Sequence, residues 1–152
     1  GNINRLTALI DYCEKYDVNV CLENMPFIFI ETSRMHKIRE IVDTVNNKHI
    51  KICLDTGHIR CVKDDLYECI KIAGDKLGCV HVHDNVHFGD FHMLPFTGDI
   101  DFHVFAKGLK EINFTGPISL ETRISDKFPD ELKEEAQMLL SKVAKYIAEE
   151  AE

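Results

Sequence analysis

The run Ile50-Lys51-Ile52-Cys53-Leu54-Asp55, continued by Thr56-Gly57-His58, sets the reading of this chain. It is short, apolar apart from one lysine, and closed by a carboxylate. Three other runs share that form: Val18-Asn19-Val20-Cys21-Leu22-Glu23, Gly78-Cys79-Val80-His81 and Pro117-Ile118-Ser119-Leu120-Glu121. Apolar on both faces, they fit parallel strands covered on both sides. Each is followed by a stretch with helical spacing, so the unit repeats as strand, loop, helix. In a barrel of parallel strands the carboxyl ends converge on one face. Two Glu, one Asp and one His would then meet as a mixed oxygen and nitrogen site for manganese, zinc or a similar ion.

The segments between the strands fit this pattern. Ile3, Leu6, Leu9, Ile10 and Cys13 predict one helix face before the first strand. After Pro26, Thr32 or Ser33 can cap a helix burying Met35, Ile38, Ile41, Val42 and Val45. Asp64 or Asp65 opens a short helix with Leu66, Cys69, Ile70 and Ala73 inward, stopped at Gly74. Asp101 caps a helix with Phe102, Phe105, Leu109 and Ile112 inside. A last helix from about Pro129 to Glu149 offers Leu132, Ala136, Leu139, Leu140, Val143 and Ile147. The ligand-type positions 23, 55, 81 and 121 are 32, 26 and 40 residues apart, ordinary lengths for one βα unit plus a variable loop.

With 152 residues the chain is expected to form a single domain, 1–152. Its 18 Lys+Arg against 26 Asp+Glu argue against a broad nucleic-acid surface, which needs many cationic phosphate contacts. None of the six cysteines forms a CxxC pair. Cys21, Cys53 and Cys79 lie inside apolar runs, so they read as small buried hydrophobes in a reduced, cytoplasmic setting. No stretch approaches the roughly 20 apolar residues of a membrane span.

Each site residue has a plainer reading. Glu23 could be an exposed carboxylate just past its strand, and Glu121 could pair with Arg123. Asp55 could merely cap a helix, with His58 unrelated; alternatively, Gly57 allows a tight turn that presents both to one site. His81 and His83 share a face of their strand, so either could be a ligand and the other a hydrogen-bonded neighbour. The long loop that follows, to about Ile100, adds Asp84, Asn85, His87, Asp90 and His92, and loops of that length are usually functional or disordered. Asp90 and His92 could form a second metal-binding pair. His36, His49 and His103 read as structural.

Taken together, Cys21-Leu22-Glu23-Asn24, Leu54-Asp55-Thr56-Gly57-His58, His81-Val82-His83-Asp84-Asn85, the stretch Asp90 to Asp101 and Ser119-Leu120-Glu121-Thr122 resemble the xylose isomerase-like TIM barrels. That superfamily groups sugar-phosphate isomerases and epimerases with endonuclease IV. The resemblance covers essentially the whole chain and implies the C-terminal half of such a barrel, four βα units. It assigns Glu23, Asp55, His81 and Glu121 as metal ligands, Glu23 and Glu121 as acid and base, and His58 or Arg123 as substrate contacts. It also makes His58, Asp90 and His92 a possible second metal set of the endonuclease kind. The implied activity is metal-dependent isomerisation or epimerisation of a sugar or sugar phosphate through an enediolate. Zinc-dependent cleavage at abasic DNA and a non-catalytic truncated half-barrel are the alternatives. Four strands leave two edges, so a missing first half or a second copy is expected to complete the barrel. Phe96 departs from the family, which often has glycine there, and the histidines of the endonuclease's first half are not in this chain.

Overall fold

The four expected strands form one parallel sheet in the order β1-β2-β3-β4. They are β1 (Val20–Glu23), β2 (Ile50–Asp55), β3 (Leu77–Val82) and β4 (Ile118–Leu120). The description rests on a computed structural model and covers residues 1–87 and 89–152. Register carries the functional ends into line. Asp55 lies beside His81, and Glu23 lies beside Cys53, two residues short of Asp55. His81 lies beside Ser119, two residues before Glu121. Glu121 follows β4 directly and donates its N–H to the Val82 carbonyl, which extends the ladder by one bond.

Burial distinguishes the central strands from the flanking ones. Ile50, Ile52, Leu54, Val80 and Val82 are fully enclosed, whereas the residues of β1 and β4 are half-buried or exposed. The sequence expectation of strands covered on both faces therefore holds in the centre and weakens at the edges, where only one neighbour strand is present.

The helices are α1 (Asn2–Thr7), α2 (Ile10–Tyr16), α3 (Met35–Val45), α4 (Thr56–Val62), α5 (Leu66–Ala73), α6 (Phe102–Glu111) and α7 (Lys133–Ala151). Asp65 caps α5 through the Glu68 N–H, and Asp101 caps α6 through the His103 and Val104 N–H groups, as expected. Met35, Ile38, Val42, Ile70, Phe102, Phe105 and Leu109 form the core against the sheet.

Five expectations need correction. The first helix is two, because Leu9 N–H bonds back three residues to Leu6 and tightens the chain there. Of its predicted face only Leu6 and Cys13 are buried, while Ile3 and Leu9 are exposed. Neither Thr32 nor Ser33 caps α3: both sit in a short 3₁₀ turn, and the Ser33 hydroxyl donates instead to the Phe27 carbonyl. A short helix, α4, occupies the turn after Asp55. The last helix buries only Ile147 fully, and Leu132 and Leu139 face outward. Among the described residues no helix is long and apolar enough to cross a membrane.

Candidate metal and acid–base site

At the carboxyl ends of the strands, ligand atoms of Glu23, Asp55, His81 and Glu121 all lie within 4.8 Å of one another. His81 Nδ1 sits 3.0 Å from Glu23 Oε1 and 2.9 Å from Glu121 Oε1. Asp55 is completely buried, and the other three are about one-third exposed or less. Glu121 does not pair with Arg123, whose exposed side chain makes no hydrogen bond or ion pair to the site among the described residues.

Asp55 performs both roles that the sequence left open. Its Oδ1 accepts the His58 N–H at 2.7 Å and so caps α4, while the same carboxylate faces the site. Asn24, fully buried, holds Asp55 from the other side: its Oδ1 accepts the Asp55 N–H at 2.7 Å and its Nδ2 donates to the Asp55 carbonyl at 3.1 Å. Asp55 Oδ2 has no hydrogen-bond partner among the described residues. A buried carboxylate oxygen in that state is costly unless a cation compensates it. Burial pushes the Asp55 pKa up, and the nearby His83 and His58 more than reverse this, so the carboxyl stays ionised below its usual range.

A second cluster adjoins the first. Asp90 is ringed by three imidazoles, with His58 Nε2 at 3.5 Å, His92 Nε2 at 3.5 Å and His83 Nε2 at 3.7 Å. His58 Nδ1 is 2.7 Å from the Asn24 carbonyl, and His92 Nδ1 is 2.8 Å from the Glu121 carbonyl. A carbonyl can only accept, so each Nδ1 carries a proton and Nε2 is the ring nitrogen that faces Asp90. Metal-ligating histidines are oriented in this way.

His83, the other histidine on that strand face, also lies against the site. It is fully buried, stacks on His92 with ring centres 4.1 Å apart, and approaches Asp55 Oδ1 at 3.1 Å. That approach lies off the line a hydrogen bond requires, so neither ring nitrogen has a partner. Burial opposes a charge on His83, and the Asp55 carboxylate outweighs it, raising the pKa; His81 is raised in the same sense by Glu23 and Glu121. Gly57 makes room for His83: a Cβ there would fall 1.9 Å from His83 Cε1. The glycine serves packing rather than the turn assigned to it from sequence.

Asp84 organises the loop that carries Asp90 and His92. Fully buried, it accepts backbone N–H groups from Asn85, Thr97, Gly98 and Ile100 at 2.7–3.1 Å. Phe96 adopts φ +71, the left-handed conformation that glycine usually supplies, and its ring rests 5.3 Å from that of Phe102. His92 is also left-handed, at φ +52. Sequence motifs contained Asn24 and Asp84 but gave no sign that each would act as a buried scaffold.

Residues 2–142 match the family model described as xylose isomerase-like TIM barrel. The chain is 31% identical over 95% of its length to an uncharacterised protein of Methanocaldococcus jannaschii, covering 51% of that protein. It is 30% identical over 83% of its length to an L-ribulose 3-epimerase of Methylomonas sp., covering 43% of it. A crystal structure of the IolI protein with a bound zinc atom superposes with a TM-score of 0.75 at 26% identity, over 98% of this chain and 54% of that one. The chain thus spans about half the length of these relatives. With the parallel sheet and the matched length in agreement, the chain belongs to the xylose isomerase-like TIM barrel family and forms about half of such a barrel.

Proposed function

We propose that this chain carries the metal-binding and acid–base apparatus of a sugar isomerase or epimerase. The observation that carries the reading is the convergence of Glu23, Asp55, His81 and Glu121 within 4.8 Å, with one oxygen of buried Asp55 unpartnered. Relatives named as ribulose and psicose epimerases and as inosose isomerases point to the same chemistry. The quartet of three carboxylates and one imidazole suits manganese or zinc. A divalent ion bound there would polarise two neighbouring substrate oxygens and offset the charge of an enediolate.

The protein's own groups divide the remaining work by position. Glu23 comes from β1 and Glu121 from β4, so they approach the site from opposite flanks of Asp55 and His81. One carboxylate takes the proton from substrate carbon and the other, protonated, returns one to the opposite face. His58, fixed by the Asn24 carbonyl, and Arg123, at the exposed loop end past Glu121, are assigned to hold substrate oxygens. A small sugar is the substrate class, and a first barrel half or a second copy supplies the remaining wall. The test is exchange of substrate hydrogen with deuterated water, using L-ribulose as probe. Exchange by the native chain that vanishes in Glu121→Gln supports the assignment; exchange retained in that variant rejects it.

The ring of His58, His83 and His92 around Asp90 favours one further reading. Those groups suit a second cation, and paired ions are the equipment of phosphodiester hydrolysis. The net charge of −8 weighs against a DNA substrate. Metal content per chain separates the two: one ion for the epimerase reading, two or more for the hydrolase.

A further inference from the structure

Directly beneath the carboxylate–imidazole rim lies a layer of sulfur. Alternate residues of a strand share a face. Cys21 therefore sits under Glu23, Cys53 under Asp55 and Cys79 under His81. Cys53 and Cys79 are paired neighbours across β2 and β3. Ligand atoms of Cys53, Cys79 and His81 lie within 4.8 Å of one another. Cys21 lies on the same face of β1, with its Sγ 2.8 Å from where a Cβ at Gly78 would stand.

That reach across the sheet depends on an irregularity. The β2–β3 register slips between Ile52 and Cys53, and Gly78 is the extra residue. A Cβ at Gly78 would stand 2.8 Å from Cys21 Sγ and 2.7 Å from Lys51 Cβ. The missing side chain is the space into which the Cys21 thiol leans. The bulge thus sets Cys79 beside Cys53 and leaves room for Cys21 on the same face.

We propose that Cys21, Cys53 and Cys79, with His81, form a binding site for a thiophilic cation, zinc or cadmium in class, distinct from the rim site. Three cysteines and one histidine are an established tetrahedral zinc set. Thiolates select soft ions where carboxylates select hard ones, so the two layers differ in preference while sharing His81. A soft ion in the lower layer competes for the imidazole that the rim needs, and the two occupancies are antagonistic. The remaining cysteines, Cys13, Cys61 and Cys69, lie apart from this layer and belong to no metal-ligating group among the described residues.

The test is titration of the purified, reduced chain with cadmium, read by the ultraviolet thiolate-to-cadmium charge-transfer absorption. One equivalent should saturate the band. Cys79→Ser and Cys53→Ser should each weaken binding by more than about 100-fold, the upper range for losing an outer-shell partner. Should either variant fail to fold, as circular dichroism would report, Cys21→Ser carries the same expectation. The band should persist in Glu121→Gln, which lacks a rim ligand, and in a Cys13→Ser, Cys61→Ser, Cys69→Ser triple variant. A native chain without the band, or a band indifferent to all three layer substitutions, overturns the proposal. So does a band lost in Glu121→Gln, because the ion would then be a rim ion.

Discussion

The two rim clusters lie side by side and share the carboxylate of Asp55, but they are held in different ways. Glu23, Asp55, His81 and Glu121 are placed by the sheet: parallel hydrogen bonding sets their separations, and the alternation of strand faces sets their direction. His58, Asp90 and His92 are placed by a helix start and a loop. The loop keeps its shape only because buried Asp84 accepts four backbone N–H groups and because His92 and Phe96 tolerate left-handed φ. Each such residue costs roughly 1–2 kcal/mol, offset at Phe96 by ring contacts with Phe102 and Tyr146. A site made by register is cheap to build. A site made by a loop needs its own scaffold, and that scaffold is where it is vulnerable.

The difference can be broken chemically. Glu121→Gln removes a strand-end carboxylate without touching the loop ring. Proton exchange at substrate carbon should fall by about 10²–10⁴-fold, the usual contribution of a general acid or base, while the chain's melting temperature stays close to native. Isotope exchange followed by mass spectrometry reads the first, and calorimetry the second.

His83→Asn acts on the other cluster. It removes one imidazole from around Asp90 and leaves the quartet intact. If the loop ring holds a second ion, metal analysis after dialysis should show that ion weakened by roughly 10–100-fold with the strand-end ion retained. Equal loss of both would mean that the clusters form one site.

Gly57→Ala sharpens the contrast by packing alone. The new methyl group would meet the His83 ring at 1.9 Å, so the ring or α4 must move. Urea unfolding should show a loss of about 1–3 kcal/mol, typical of an overfilled core. A neutral substitution would mean that His83 has room to spare.

The smallest effect is the response to pH. His81 and His83 both have raised pKa values in the metal-free chain, despite burial, because Glu23, Glu121 and Asp55 face them. Their contribution to stability is therefore fully present below the ordinary imidazole value of about 6.5. It is lost as pH rises through their folded values. The melting temperature of the metal-free chain should fall as pH rises above about 6.5. With manganese added the slope should reverse, because ligation requires neutral imidazole and improves as protons leave.

Sequence and structure contributed unevenly. Four apolar runs, each closed by a ligand-type side chain and each followed by a helical period, were enough to show parallel βα units with Glu23, Asp55, His81 and Glu121 at the strand ends. Periodicity and parity are local properties, so a one-dimensional reading reaches them. The parts that escaped it are those that depend on who arrives from elsewhere. Asp55 is both a helix cap and a site carboxylate, a choice the sequence posed as exclusive. The final helix has an apolar stripe whose length suggests burial, but only Ile147 is fully buried, with Val143 and Ala151 half-buried against the core.

Residue types and their spacing alone determined that this chain is a set of parallel βα units with carboxylates and imidazole at the strand ends. Only the tertiary structure decided that His83 lies against the site, that Asn24 and Asp84 hold it, and that a slip at Gly78 sets Cys79 beside Cys53 beneath it. The reason is physical. Strand direction and face follow from backbone geometry that every residue carries, whereas a buried orphan nitrogen, a shared carboxylate or a missing Cβ acquires meaning only from atoms tens of residues away that folding brings within a few ångströms.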